Sequence, residues 1–475
     1  MALESGVSDV IEKGFWDAIT RFSARLKSFD DFAVVSHHDA DGITACAITV
    51  DFLKQMGKHV EFAVIKQLDS RTFEDVRKID ASTVVFTDMG SGQLNMVEEE
   101  LDDFFVIDHH PPAKESESQI NPHSFGYDGG SEISGAGMAY LVAKAGGFGN
   151  MAHLAVVGAV GDMQDSGGKL SSLNRAILFD AMMQGTVELE NDLRLFGRQS
   201  RSLTQMLAYA SDPIIPGLSG NQQACAQFME SNGIKIRNGD GNFRNYVELT
   251  HLERKELTTA LYIYLLDLNT PEFLIQRMIG EVYTLSKEEF KTELRDAREY
   301  STVLNACGRH QQGGIGVQVC LGDRGEYLDK AKRMLKKHRR VLREGLEFIN
   351  SAQIESLEKL YHFDASGRID EGIIGVVAGM AYGARIIKPD KSVLAFAVDR
   401  DDQNMLKVSA RTNWSLVRDG IHLGDAMRDC SAQFGGEGGG HDIAAGARIP
   451  LDRKNEFLAC VNGMFKDQTT KKGVA

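Results

Sequence analysis

Three short stretches near the start of the chain end in acids and imidazoles. They are Ser36-His37-His38-Asp39-Ala40-Asp41-Gly42, Thr87-Asp88 and Asp108-His109-His110. Carboxylates mixed with imidazole, and free of cysteine, suit Mn2+ or Mg2+ better than the thiolate sites that zinc prefers. Two such ions, typically about 3.5–4 Å apart and sharing a carboxylate, activate water and hold phosphoryl oxygens. The chemistry indicated is metal-assisted phosphoester hydrolysis. His37, Asp39 and Asp41 alternate, so in an extended segment they address one face. A fourth acid, Asp162, follows the apolar segment His153 to Val160 and Gly161. A single Asp after a strand is usually a helix cap or a turn residue. That bland reading suits Asp88 or Asp162 taken alone. It fails for the first and third stretches together.

Each stretch follows an apolar run: Phe32-Ala33-Val34-Val35, Val84-Val85-Phe86 and Phe104-Phe105-Val106-Ile107. Short apolar runs of this kind read as parallel strands buried on both faces. In open α/β sheets ligands bind beyond the carboxyl ends of the strands. Helices are expected over Ile43 to Met56, ended by Gly57, over Ser70 to Lys78 and over Gln93 to Glu100, with a further strand over Val60 to Ile65. The alternation predicts a parallel sheet with helices on both faces. Ser134-Gly135-Ala136-Gly137 opens another apolar helix, through Ala145.

From about 190 to 310 the chain becomes mostly helical and carries no metal-type cluster. A basic helix follows. From about 370 a second α/β unit begins, with a helix over Ile373 to Met380 and strands over Ser392 to Val398 and Lys407 to Arg411. The expected fold class is α/β: an N-terminal parallel-sheet domain over 1–190, a mostly helical insertion over 191–325, a basic connecting helix over 326–360, and a smaller C-terminal α/β domain over 361–475.

Composition adds bounds. The 475 residues exceed one ordinary domain, and 43% hydrophobic with 25% charged content is that of a soluble globular chain. No apolar stretch of about 18 uncharged residues occurs, so no membrane span is expected. The first 22 residues read as an amphipathic helix without a signal peptide's basic start. The six cysteines are scattered, which predicts a cytoplasmic protein with reduced thiols. A net charge of −14 gives no general support to nucleic-acid binding. The exception is local: Lys330, Lys332, Arg333, Lys336, Lys337, Arg339, Arg340 and Arg343 form a one-signed run. It reads either as a solvated helix face or as a path for a polyanion.

Near the end, Gly435-Gly436-Glu437-Gly438-Gly439-Gly440-His441 sits between apolar segments. Glycines let main-chain N–H groups approach a phosphate, and a helix start after them would add its dipole. The alternative is a plain flexible linker. No Gly-Lys-Ser/Thr follows, so a nucleotide P-loop is excluded.

Asp108-His109-His110, with His37 to Gly42, Asp88 and Asp162, resembles the motif set of the DHH phosphoesterase superfamily. The resemblance implies two Mn2+ ions, with Mg2+ as the substitute. His37, Asp39 and Asp88 would hold one, and Asp41, Asp88, His109 and Asp162 the other, with Asp88 bridging. His110 would face the substrate phosphate or assist proton transfer, and Asp108 would support the site or act as a ligand. Asn121-Pro122-His123 resembles a segment that relatives carry near the active site, making His123 a secondary candidate. The tail resembles the DHH-associated C-terminal domain, in which Gly439, Gly440 and His441, with Ser409 and Arg411, would grip substrate phosphate. Length, insertion and Leu304-Asn305-Ala306-Cys307-Gly308-Arg309-His310 look most like the archaeal RecJ-like branch, which includes a GINS-associated nuclease. That implies an exonuclease for single-stranded DNA or RNA, in replication, repair or RNA processing, with GINS or another replication protein docking on the insertion. An oligoribonuclease or dinucleotide phosphodiesterase, and a replisome scaffold with weak activity, are the alternative readings.

Overall fold

The computed structural model describes residues 7–210 and 213–471. The chain forms two compact units, one ending at Leu335 and one beginning at Lys336. Helices α1 (Val7–Val10) and α2 (Lys13–Leu26) lead in. The single N-terminal helix expected is therefore two, and its first six residues lie outside those described. The break comes at Glu12, whose carboxylate caps α2 by accepting from the Gly14 and Phe15 N–H groups. Phe15, Ile19, Phe22 and Leu26 then form one buried stripe.

The sheet is built by β1 (Asp31–His37), α3 (Ala40–Gln55), β2 (His59–Ile65), α4 (Ser70–Val76), β3 (Thr83–Thr87), α5 (Leu94–Glu100), β4 (Phe104–Ile107) and β5 (Gln119–Ile120). Strand order is β2-β1-β3-β4-β5, and every pair is parallel. Alternate residues enter separate cores. Phe32, Val34, Val85 and Phe105 pack on one face, and Ala33, Val35, Val84 and Phe86 on the other. Two buried faces are why these strands read as unbroken apolar runs. The order reverses between β1 and β3, and such a switch point opens a crevice at the carboxyl ends. One face is covered by α2, α3, α6 (Gly135–Ala145), α7 (Ala152–Gly161) and α8 (Ser172–Met183).

The insertion leaves through β6 (Val187–Leu193). It contains α9 (Leu203–Ala208), α10 (Gln222–Ser231), α11 (His251–Asp267) and α12 (Glu272–Gln276), and returns through β7 (Ile279–Leu285). β6 and β7 pair antiparallel. Its separate core runs from Leu193 to Met278. The later part of the expected insertion behaves differently. In α13 (Ala297–Arg309) and α14 (Gly313–Cys320), Tyr300, Leu304, Cys307 and Val317 pack into the N-terminal core.

Helix α15 (Glu326–Ser351) carries the basic run. Its buried residues Ala331, Leu335, His338 and Ile349 recur at helical spacing, and Lys332, Arg333, Lys336, Lys337, Arg340 and Arg343 are exposed. Lys330 pairs with Glu326 at 2.5 Å, and Arg340 and Arg343 approach Glu344 and Glu347 at 3.8 Å.

The second unit comprises β8 (Glu355–Ser356), β9 (Leu360–Asp364), α16 (Glu371–Gly383), β10 (Ser392–Val398), β11 (Met405–Arg411), α17 (Trp414–Arg418), α18 (Leu423–Gln433), β12 (Glu437–Gly440), β13 (Ala444–Pro450) and α19 (Lys454–Lys471). The sheet order is β12-β13-β11-β10-β9-β8, antiparallel except for β9 with β10. Two expectations are corrected here. The glycine-rich run is an edge strand, β12, and a strand rather than a helix start follows it. Backbone pairing to β13 orders these glycines, and the helix start that lies against them is that of the preceding α18, where a Cβ on Gly424 would stand 2.2 Å from the Gly440 carbonyl oxygen. Cys430 and Cys460 form a disulfide between α18 and α19 instead of staying reduced. The two helices share one core, which brings together cysteines with no local spacing signal. The other four cysteines are free and buried. Among the described residues, no helix is long and apolar enough to cross a membrane.

Candidate metal centre

The carboxyl ends of the adjacent strands β1, β3 and β4 deliver the three motifs to one place. Asp39 is both a helix cap and a candidate ligand. Its Oδ1 accepts the Gly42 N–H at 3.0 Å, while Oδ2 lies 3.0 Å from His37 Nδ1. Only glycine fits at 42, because a Cβ there would stand 2.3 Å from the His37 carbonyl oxygen. Asp88 follows β3 with φ 57°, a left-handed conformation uncommon outside glycine. That turn aims its two oxygens at different neighbours. Oδ2 lies 3.5 Å from His37 Nδ1 and Oδ1 lies 3.1 Å from His109 Nε2.

A second group forms around Asp41, at the start of α3. Its carboxylate accepts the Gly135 N–H at 2.6 Å and the Ala136 N–H at 3.0 Å, in the first turn of α6. The positive end of that helix suits a buried carboxylate, and Ser134 caps the same turn. His109 Nε2 lies 3.7 Å from Asp41 Oδ2. Its other nitrogen, Nδ1, is 2.7 Å from the Gly129 carbonyl oxygen. A carbonyl only accepts, so Nδ1 carries a proton and Nε2 is turned to the acids. This is the orientation a metal-ligating histidine needs. Asp162, at the end of α7, has an oxygen within 4.8 Å of Asp41 and His109 ligand atoms. Gln164 braces this group. Its Nε2 donates to Asp162 Oδ2 at 2.9 Å and to the Gly129 carbonyl at 2.8 Å, and its Oε1 accepts from Asn174. Gln164→Ala is expected to weaken Mn2+ binding roughly 10–100-fold at one of two sites. An Mn2+ titration followed by electron paramagnetic resonance checks this, and an unchanged binding curve would exclude the bracing role.

Asp108 is saturated by its own loop. It accepts N–H groups from Ser91, His109 and His110 at 2.9, 2.7 and 3.2 Å, and His110 Nδ1 lies 2.8 Å away. His110 is more than half exposed, whereas Asp108 is buried. Asn121 ties the loop further, donating to Ser91 Oγ and to the His110 carbonyl, each at 2.9 Å. His123 sits behind His109. Its Nε2 is buried without a hydrogen-bond partner, 3.1 Å from where a Cβ on Gly129 would stand.

The electrostatics are unbalanced. Burial, and then Asp88 beside it, push the Asp41 carboxyl well above its ordinary range. Burial, with Asp39 and Asp88 adding, pushes Asp162 up to about 6. Burial opposes a charge on His37 and His109, yet neighbouring carboxylates raise both well above a normal imidazole. For Asp39, burial is outweighed by the charge and hydrogen bond of His37 and by the Gly42 N–H, which hold it well below the carboxylate range. Asp88 Oδ1 is buried and accepts no hydrogen bond. Crowded buried acids and an orphaned oxygen are what bound cations relieve, so the residues present fit two divalent ions. The groups His37, Asp39, Asp88 and Asp41, His109, Asp162 each bring ligand atoms within 4.8 Å, and so do Asp88, Asp108, His109 and His110. The first group is the open one: the His37 and Asp39 side chains are 27% and 36% exposed, against 5% and 2% for His109 and Asp41.

Leu304 to His310 forms the end of α13, with its backbone continuing past Arg309. It is locked onto the first motif. Asn305 Oδ1 accepts the Ala40 N–H at 3.0 Å, and a Cβ on Gly308 would stand 1.5 Å from the His38 carbonyl oxygen. Burial, with the charges of His37 and Arg309, pushes the His38 imidazole down to about 3. Neither Asn305 nor Gln164 shows in the sequence as a partner of the acids. Only the resemblance singled out the Asn305 segment, and nothing marks Gln164.

The C-terminal candidates gather at one end of the second sheet. Ser409 is in register with Gly446 and Gly446 with Gly439, while Arg411 pairs with Ala444 and Gly440 with Ala445. His441 is exposed, its N–H donating to the Ala444 carbonyl at 2.9 Å. Ser409 and Arg411 share a face. A Cβ on Gly375 of α16 would meet Arg411 Nη2 at 2.7 Å and Ser409 Oγ at 3.1 Å, so glycine there leaves room for the guanidinium.

Comparison with known proteins accords with this geometry. The DHH family N-terminal domain matches residues 31–160, the DHH-CID domain 195–279 and the DHHA1 domain 359–467. An uncharacterized protein of Methanocaldococcus jannaschii is 30% identical over 452 residues, covering 93% of this chain and 95% of that protein. The chain belongs to the DHH superfamily. The three matched domains follow one another in the order DHH, DHH-CID, DHHA1. RecJ from Thermus thermophilus, crystallised in complex with Mn2+, superposes with a TM-score of 0.57 at 17% identity, over 96% of this chain. The chain spans 55% of the length of that RecJ. CDC45 from Entamoeba histolytica superposes with a TM-score of 0.62 at 12% identity, over 95% of this chain and 99% of that one. These likenesses are of fold.

Proposed function

We propose that this DHH phosphoesterase is an Mn2+-dependent exonuclease for single-stranded DNA or RNA. His37, Asp39 and Asp88 would hold one cation, and Asp41, Asp88, His109 and Asp162 the other. The observation that carries the reading is the divided Asp88 carboxylate, with one oxygen toward His37 and the other toward His109. Bound divalent ions supply Lewis acidity to phosphoryl oxygens and lower the pKa of water. The remaining work falls to the chain. His110 is exposed and its Nδ1 is engaged by Asp108, so Nε2 faces outward to pass a proton to the leaving oxygen. Burial opposes its charge, but Asp108 raises the imidazole above its ordinary value, which favours the acid form. In the second unit Ser409, Arg411, Gly439, Gly440 and His441 would hold a substrate phosphate, with Arg411 able to bind it bidentately.

The insertion has its own core, and Leu252, Ile263 and Leu266 of α11 are exposed. This supports its use as a docking module for a replication protein such as GINS. The test of the function is digestion of matched DNA and RNA oligonucleotides, labelled at either end, with Mn2+, with Mg2+ and with chelator. Stepwise shortening that needs the metal is expected. Cleavage confined to dinucleotides would replace the reading with a dinucleotide phosphodiesterase, and no cleavage of any oligonucleotide would leave a scaffold.

A further inference from the structure

We infer that Lys407 provides a second phosphate position beside Ser409 and Arg411, so that the C-terminal unit reads a run of backbone phosphates rather than one terminal phosphate. The inference rests on the reading that Ser409 and Arg411 hold phosphate.

Residues on β11 alternate between faces. Leu406, Val408 and Ala410 are buried in the core beneath α18 and α19. Lys407, Ser409 and Arg411 therefore share the opposite face. On the neighbouring strand β13 the same alternation holds: Ala445, Ala447 and Ile449 are buried, and Ala444, Gly446 and Arg448 are only half-buried. That face is half-open beside Lys407, while Ser409 itself is buried where Gly375 of α16 approaches it. Its floor is glycine. Gly446 pairs with both Ser409 and Gly439, and a Cβ on Gly439 would meet nothing within 4 Å.

The lysine leans toward the serine. Its register partner on β13 is Arg448, yet its Nζ lies 3.6 Å from where a Cβ on Gly446 would stand, beside Ser409. Arg448 is held by Asp399 at 2.8 Å. The ammonium therefore extends the Ser409–Arg411 position along the strand. Residues two apart on one face are separated by about 6.8 Å, a step of the same order as that between successive phosphates of an extended single strand. A flexible ammonium contacts such oxygens without reading a base.

The test is calorimetric titration of the full-length protein with 5′-phosphorylated thymidine oligomers of one, two, four and eight nucleotides. Ca2+ replaces Mn2+ so that binding is read without turnover. For Lys407→Gln, the mononucleotide is expected to bind as to the wild type. The four- and eight-nucleotide oligomers should bind roughly fivefold more weakly, and the slope of log K against log salt should shrink by about 0.7. Lys407→Arg should restore both. Arg411→Ala should weaken every length, and failure of that control would strike the phosphate-holding reading itself. Equal loss on the mononucleotide, or no loss at any length, would overturn the second position. Because no hydrolysis is read, an inactive enzyme with the length dependence intact would count against the exonuclease reading alone.

Discussion

Asp88→Ala is expected to lower hydrolysis of an end-labelled oligonucleotide by at least about 10³-fold. In the proposed centre Asp88 is the residue that both ligand sets would share, its two oxygens lying 3.5 Å from His37 and 3.1 Å from His109. Removing it leaves His37 and Asp39 as one incomplete set, and Asp41, His109 and Asp162 as another. The loss should not come from unfolding. Asp88 lies among Asp41 and Asp162, whose carboxyls are raised partly by its charge. Deleting it relieves that repulsion but also removes the carboxylate beside His37 and His109 and puts Ala at a left-handed φ, so the metal-free variant should stay folded and melt near the wild-type temperature. The stabilisation gained on adding Mn2+ should shrink, because only ligands that bind the folded state raise stability. Thermal melts with and without Mn2+, beside the rate measurement, check the three statements together. Substantial activity in the variant would remove Asp88 from the centre.

Gly158→Ala is the second large effect, and it acts through packing. A Cβ at 158 would stand 2.4 Å from Asp41 Oδ1, 2.5 Å from the Ala136 Cβ and 2.7 Å from Thr44 Oγ1. The helices α3, α6 and α7 meet there at a separation only glycine permits. Adding a methyl group forces α7 away or displaces the Asp41 carboxylate from the first turn of α6. Overpacking of this kind costs about 1–3 kcal/mol, and displacement of Asp41 would disturb the proposed buried cation site as well. The expected result is a lower midpoint in urea together with weaker Mn2+ binding. Gly383→Ala is the control, because a Cβ there meets nothing within 4 Å. It should stay within about 0.5 kcal/mol of the wild type. Equal stability of the two variants would contradict the close-packed junction.

The strands that carry the motifs were legible because both faces of the sheet are buried. Phe32 to Val35 and Phe104 to Ile107 have no polar face to disguise them. Asp39 shows why two sequence readings can both hold, since one oxygen caps α3 and the other faces His37. The left-handed turn at Asp88 has no clear sequence signal, because aspartate tolerates that conformation but adopts it at only a small share of its positions. The glycine-rich tail suggested a loop and a helix start because glycines show no alternation. Its order as β12 comes from pairing with β13, which lies outside the run itself. The disulfide between Cys430 and Cys460 spans 30 residues and depends on α18 meeting α19. Likewise the return of α13 to the first core, with Asn305 on the Ala40 N–H, depends on contacts 265 residues apart.

The most direct measurement is to titrate metal-free protein with Mn2+ and to count bound ions and cleaved phosphodiester bonds in the same samples. The account predicts two ions per chain, with hydrolysis of a single-stranded oligonucleotide rising as the second is filled. Full hydrolysis in excess chelator with no ion bound, or two bound ions with no DNA or RNA cleaved, would contradict it.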